Sequence, residues 1–185
     1  MLDSIKEALN YLKSPGVIAV PTETVWGLSC SALAKEQIER IYQIKNRPSN
    51  KSFIVLVDSI KMLKKYVGEI SDNQKRFLLA DRPTTVIFPK IKGLPTLLLA
   101  NDKSLAFRIT KHPQIKGLIT EFGSPIVSTS ANLSGEPAAQ TFEELSATIL
   151  EAVDYTLNLH SDYKPTSTPS RIVKIVGNDV EIIRS

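Results

Sequence analysis

Apolar residues recur at helical spacing at the start of the chain. Ile5, Leu9 and Leu12 predict an amphipathic helix over residues 3–13, followed by Gly16. The run "VIAVP" predicts a strand at 17–21, and Ile38, Ile41 and Tyr42 form the stripe of a second helix, 35–46. "FIVLV" predicts a strand at 53–57, followed by helical stretches at 59–67 and 71–80. Apolar runs at 86–88, 105–109 and 126–128 predict further strands, with a helix at 113–122 that Pro113 opens in its first turn. "TFEEL" has the spacing of a capping box, Thr141 with Glu144 three residues on, and predicts a helix start. "RIVKIV" and "VEIIRS", separated by "GND", predict a closing hairpin after a polar, proline-rich loop at 161–170. Strands alternating with helices indicate an α/β fold built on a mixed sheet.

Composition narrows the class. The chain has 185 residues, 42% of them hydrophobic, which suits a single globular domain spanning 1–185. No apolar run reaches the roughly 20 residues of a membrane span, so no membrane partner is expected. The opening "MLDSIKEALNYLKS" has neither the apolar core nor the cleavage site of a signal peptide. A lone cysteine, Cys30, forms no internal disulfide, which fits a cytoplasmic location. With His112 and His160 as the only histidines, a Cys/His zinc site cannot be assembled. The net charge of +4 is mild; it permits an anionic ligand or RNA and demands neither.

Familiar nucleotide motifs are missing. No two glycines stand five positions apart or two apart, which excludes the P-loop and the dinucleotide fingerprint, and no nucleophile elbow occurs. Three stretches carry candidate chemistry. "PTETVWGL" leaves a buried strand with hydroxyls, a carboxylate and an aromatic ring together. In "KNRPSNK", Lys45, Arg47 and Lys51 gather at a helix end, where cations suit the macrodipole or could clamp a polyphosphate. "PIVSTSANLSG" sends a short strand into clustered hydroxyls, as turn chemistry or as an anion nest of exposed backbone N–H groups.

Taken together, "PTETVWGL", "KNRP", "LAFR" and "STSANLSG" resemble, in order and spacing, the YrdC/TsaC family of threonylcarbamoyl-AMP synthases, over nearly the whole chain. The resemblance implies a YrdC-like twisted mixed sheet flanked by helices, with a concave basic ligand cleft. It also implies a nucleotidyltransfer: L-threonine, bicarbonate or carbon dioxide, and ATP give threonylcarbamoyl-AMP and pyrophosphate for the modification of tRNA. Mg2+ would accompany ATP without a dedicated protein cage. Partner proteins that transfer the threonylcarbamoyl group to tRNA are implied, and contact with tRNA itself is allowed. By the same resemblance Lys45 and Arg47 are the catalytic phosphate ligands. The ATP set is Lys45, Arg47, Lys51, Ser104, Ser130, Asn132 and Arg184, and the threonine set is Thr24, Arg108, Ser128 and Ser170.

Four departures are notable. Leu56 stands where many relatives carry a histidine, "DRPTTVIF" alters the loop at 81–85, Trp26 replaces a smaller aromatic, and Arg171 replaces a small residue and could reach the phosphates. Two other readings fit the chain: an RNA-binding module, disfavoured by an aromatic content of 6%, and a paralogue acting on another substrate.

Overall fold

The computed structural model describes residues 3–48, 52–159, 166, 168–177 and 179–185. Helix α1 (Asp3–Lys13) turns Ile5, Ala8, Leu9 and Leu12 inward. Strands β1 (Ile18–Val20) and β2 (Gly27–Ser31) follow, then helix α2 (Lys35–Ile44), strand β3 (Ile54–Val57) and helices α3 (Ile60–Val67) and α4 (Asp72–Leu79). Next come β4 (Thr84–Phe88), β5 (Leu105–Ile109), α5 (Pro113–Phe122) and β6 (Ile126–Ser130). Helix α6 (Ala147–Ala152), β7 (Tyr155–Thr156) and the hairpin β8 (Arg171–Val176) and β9 (Asp179–Arg184) complete the fold.

Among the described residues nine strands form one sheet in the order β7-β1-β2-β6-β3-β5-β4-β8-β9. The pairs β1–β7, β3–β5 and β4–β8 are parallel and the rest antiparallel, so the sheet is mixed. Helix α1 lies over β1, β2 and β7 and beside α5, while α2 contacts β2, α3 contacts β3, and α4 covers β4 and β5. Val55, Leu56, Phe107 and Val127 are fully buried at the centre; each such side chain contributes about 1.5–3 kcal/mol by leaving water. Asp154 fixes the start of β1: its Oδ2 accepts the Val17 N–H at 2.7 Å and Arg40 Nη1 at 2.6 Å. Among the described residues no helix is long and apolar enough to cross a membrane.

Register places the site. Side chains at directly opposed positions share a face, and Gly27 opposes Ser130, Ser29 opposes Ser128, and Ser128 opposes Ile54. On β5, Ala106 pairs with Ile54 and Arg108 with Leu56. One face of the sheet centre therefore carries Gly27, Ser29, Ser128 and Ser130 beside the aliphatic Ile54 and Leu56, with Arg108 as the guanidinium among them.

The structure corrects several sequence expectations. No helix forms at Thr141: the Glu144 carboxylate accepts the Gln140 N–H at 2.7 Å, and Leu145 N–H closes a turn on Phe142 O. The helix starts at Ala147 instead, with Ser146 accepting the Ile149 N–H as its cap. Strand β2, "GLSCS", has no apolar run, only Leu28 and Cys30 alternating with small residues, and β7 has two residues, so neither was expected. Strands β4 and β6 extend into Thr84, Thr85, Thr129 and Ser130, which read as loop. Helix α2 stops at Ile44 because Asn46 takes a left-handed φ of 46°.

Candidate functional site

A cavity of about 240 Å3 opens on this face. Its first wall is the β1–β2 connection. Thr22 Oγ1 donates to Val25 O at 2.7 Å and accepts the Thr24 N–H at 3.1 Å, with the two threonine hydroxyls 3.0 Å apart. Trp26 locks the wall in place: its N–H donates to Ala139 O and its carbonyl accepts from Ala131 N–H, both at 2.9 Å. Gly27 then lets β2 approach β6 closely, since a Cβ there would lie 3.0 Å from Ser128 Oγ and 3.3 Å from Thr129 O.

Beneath this wall lies a buried charge cluster. Glu23 is 1% exposed; its Oε1 stands 2.7 Å from Arg108 Nε, and its Oε2 accepts from Thr110 Oγ1 at 2.8 Å. Sequence reasoning quoted Glu23 without giving it a role, although a carboxylate between two threonines after a buried strand was a signal that it has one. His112 is buried close by; burial lowers its pKa, and the Glu23 charge works against that shift. His112 lines a second cavity of about 260 Å3, which shares Thr22, Val25 and Trp26 with the first.

Three guanidiniums reach the first cavity: Arg47, Arg108 and Arg184. Arg47 emerges just past the left-handed Asn46, donates to Ser52 O at 3.1 Å and lies over the Phe53 ring at 5.4 Å. Burial lowers its pKa, opposed by Tyr42. Arg184 donates through Nε and Nη2 to Ser170 O at 2.9 and 2.8 Å. Burial lowers the Arg184 pKa, and the Arg108 charge adds to that. Ser170 Oγ in turn lies 2.8 Å from Thr85 Oγ1, a buried contact that ties the residue before β8 to β4.

Of the residues singled out in the sequence, Thr24, Arg47, Arg108, Ser128, Ser130, Ser170 and Arg184 line this one cavity. Lys45, Asn132 and Ser104 do not. Ser104 sits in the turn before β5, its hydroxyl donating to Asp102 Oδ1 at 2.5 Å. Lys45 is bonded to the loop that follows β6, through the Asn132 carbonyl and the side chain of Asn132, which belongs to that loop. Lys51 falls outside the described residues. Of the two readings of "PIVSTSANLSG", the backbone N–H groups of residues 131–134 and 136 serve the turn rather than an anion nest. They donate to Trp26 O, Ser130 O, Glu136 Oε2, Lys45 O and Leu133 O. Arg171 turns away from the cavity, stacking on Phe77 at 5.0 Å and donating to Thr84 Oγ1 at 3.2 Å. Leu56 is fully buried in the core and offers no polar group. Of the altered stretch at 81–85, Thr84 and Thr85 belong to β4. Among the described residues no three His, Cys, Asp or Glu side chains come together to hold a metal.

The profile of the Sua5/YciO/YrdC family, described as "Telomere recombination", matches residues 10–185. A threonylcarbamoyl-AMP synthase of Enterobacter sp. (strain 638) is 36% identical over 150 residues, covering 79% of each chain. The solved structure of H234A/Y235A P. abyssi Sua5 superposes with a TM-score of 0.86 at 25% identity. P. abyssi Sua5 complexed with L-threonine superposes with a TM-score of 0.83 at 24% identity, which speaks for the fold. Each superposition covers 97% of this chain and about half of the solved one, 55% and 53%.

Proposed function

The chain belongs to the Sua5/YciO/YrdC family, and on that premise we propose that it is a threonylcarbamoyl-AMP synthase. In the proposed reaction L-threonine, bicarbonate and ATP give threonylcarbamoyl-AMP, pyrophosphate and water. The amine of threonine and bicarbonate form an N-carboxylate with loss of water. One of its oxygens bonds to the α-phosphorus of ATP as the bond to the leaving pyrophosphate breaks. Such a transfer needs positioning and charge stabilisation rather than a covalent nucleophile.

The observation that carries the reading is the convergence of three guanidiniums and the hydroxyls of Thr24, Ser128, Ser130 and Ser170 on one cavity. In our reading the Arg108 guanidinium, steadied from below by Glu23, takes the carboxylate of threonine, with Thr24, Ser128 and Ser170 around the amino acid. Arg47 and Arg184 take phosphate oxygens, and Ser130 meets the nucleotide. The planar fork of arginine suits both carboxylate and phosphate. Magnesium would reach the site with the triphosphate, held by phosphate oxygens and water; the buried Glu23 is already committed to Arg108 and Thr110. The product would pass to proteins that place the threonylcarbamoyl group on tRNA, in the cytoplasm.

Incubation with ATP, bicarbonate and each amino acid in turn, measuring pyrophosphate, tests the reading. Release that depends on threonine and bicarbonate, with threonylcarbamoyl-AMP found by mass, is the expected result. Release driven by another amino acid would make the chain a family member with a different substrate, and no amino-acid-dependent release would overturn the enzymatic reading.

A further inference from the structure

Lys45 is 1% exposed and does not line the cavity. An ammonium has three protons to donate, and all three are committed: to Ser130 O at 2.5 Å, Asn132 O at 2.6 Å and Asn132 Oδ1 at 3.3 Å. The contact runs both ways, since the Lys45 carbonyl accepts the Ser134 N–H at 2.9 Å. Asn132 carries the restraint onward, its Nδ2 donating to Leu133 O at 3.0 Å and Glu136 O at 2.6 Å. Side chain and main chain of one residue thus grip both halves of the turn after β6.

We propose that Lys45 is a positioning residue: a latch from the end of α2 that holds residues 130–136 and thereby sets the Ser128 and Ser130 hydroxyls in the cavity. To meet a phosphate, the ammonium would have to abandon three acceptors. As a latch it needs no movement. Burial of this charge against neutral carbonyls is unfavourable, which lowers the Lys45 pKa to about 8, with Arg47 adding to the shift and Glu136 opposing it. A side chain held there at such a cost fits a role in ordering the loop. Ser130 is the last residue of β6 and Ser128 lies two before it on the same face, so a displaced Ser130 peptide would disturb both hydroxyls. The ligands named for those hydroxyls rest on the function proposed above; the latch itself does not.

Hydrogen exchange on the ligand-free protein tests the latch directly. In Lys45→Met the amides of residues 131–136 should exchange roughly tenfold faster than in the wild type, while those of α5 keep their protection. In steady state, the apparent requirements for ATP and threonine should both rise, by roughly the same tenfold, with turnover at saturation kept within about threefold. Wild-type exchange at 131–136, with loss confined to ATP affinity or to turnover, would overturn the latch and restore a phosphate ligand. If Lys45→Met does not fold, Lys45→Gln supplies the second reading: its shorter side chain ends in an amide that cannot fill all three acceptors. Faster exchange of the same amides supports the latch, and unchanged exchange overturns it. Because the exchange needs no substrate, its outcome stands apart from any failure of the proposed reaction.

Discussion

Lys45 and Arg108 are both nearly inaccessible, 1% and 4% exposed, yet they are held in opposite ways. Arg108 has a carboxylate beside it, Glu23, and still lines the cavity; the charge of the pair is balanced inside the protein. Among the described residues Lys45 bonds only carbonyl and amide oxygens, is closed off from the cavity, and keeps its charge at the expense of a lowered pKa. The geometry of the side chain accounts for part of this. A guanidinium can spend one edge on an internal partner and present another to a ligand, whereas an ammonium surrounded on three sides has no edge left. Two buried cations of the same sign therefore do different work: one faces a ligand, the other shapes the wall.

The comparison breaks most visibly at Arg108. Arg108→Met strands a carboxylate that is 1% exposed and should cost about 3–5 kcal/mol in urea unfolding. Adding Glu23→Gln should recover much of that loss without restoring threonine-dependent pyrophosphate release. If the double variant were no more stable than the single one, the pair would not be balancing charge.

The Lys45 side is read by pH. Its pKa is about 8 folded and about 10.5 as an ordinary lysine, so between these values the unfolded chain binds more protons. Stability from this group therefore rises with pH across that window, by about 3 kcal/mol at about 1.4 kcal/mol per unit. Lys45→Met should lack the rise, which parallel chemical denaturation of both proteins from pH 7 to 10.5 would reveal. Identical profiles would show that the ammonium is not buried as described.

Smaller changes sharpen the contrast. Thr110→Val removes the hydroxyl that donates to Glu23 and should cost about 1–2 kcal/mol while leaving Lys45 untouched, so loop 131–136 should exchange as in the wild type. Glu136→Gln deletes the one acid that supports the charge on Lys45 and should move the stability rise to slightly lower pH. A shift to higher pH would mean that another group carries the charge.

Much of this architecture could be read from residue patterns. The helices at 3–13 and 113–122 and the strand at 105–109 stand where apolar spacing put them, because one buried stripe or run decides each. Strand β2 escaped because its alternation rests on only two apolar residues, Leu28 and Cys30, set between Gly27, Ser29 and Ser31. The capping-box spacing at Thr141 misled because Glu144 bonds an N–H outside any helix. At the site, residue type and order pointed to Thr24, Arg108 and Ser128, which share the cavity. Spacing could not tell that Lys45, two residues before Arg47, points the other way. That depends on where α2 ends and on Asn46 turning left-handed, which a motif does not encode.

The pairing of Gly27 with Ser130 also bears on how the protein acquires its shape. The strands that frame the cavity meet across long stretches of intervening chain: β2 with β6, and β4 with β8. Loops of that size must close before their contacts are rewarded, which slows folding into the millisecond-to-second range typical of nonlocal sheets. Helices α1 and α5 can form early from local contacts, but Thr24, Arg108, Ser128 and Ser170 come together only when most of the chain between them has folded. During refolding, helical signal should thus return before ligand-binding capacity, and a half-folded chain would be helical but unable to bind.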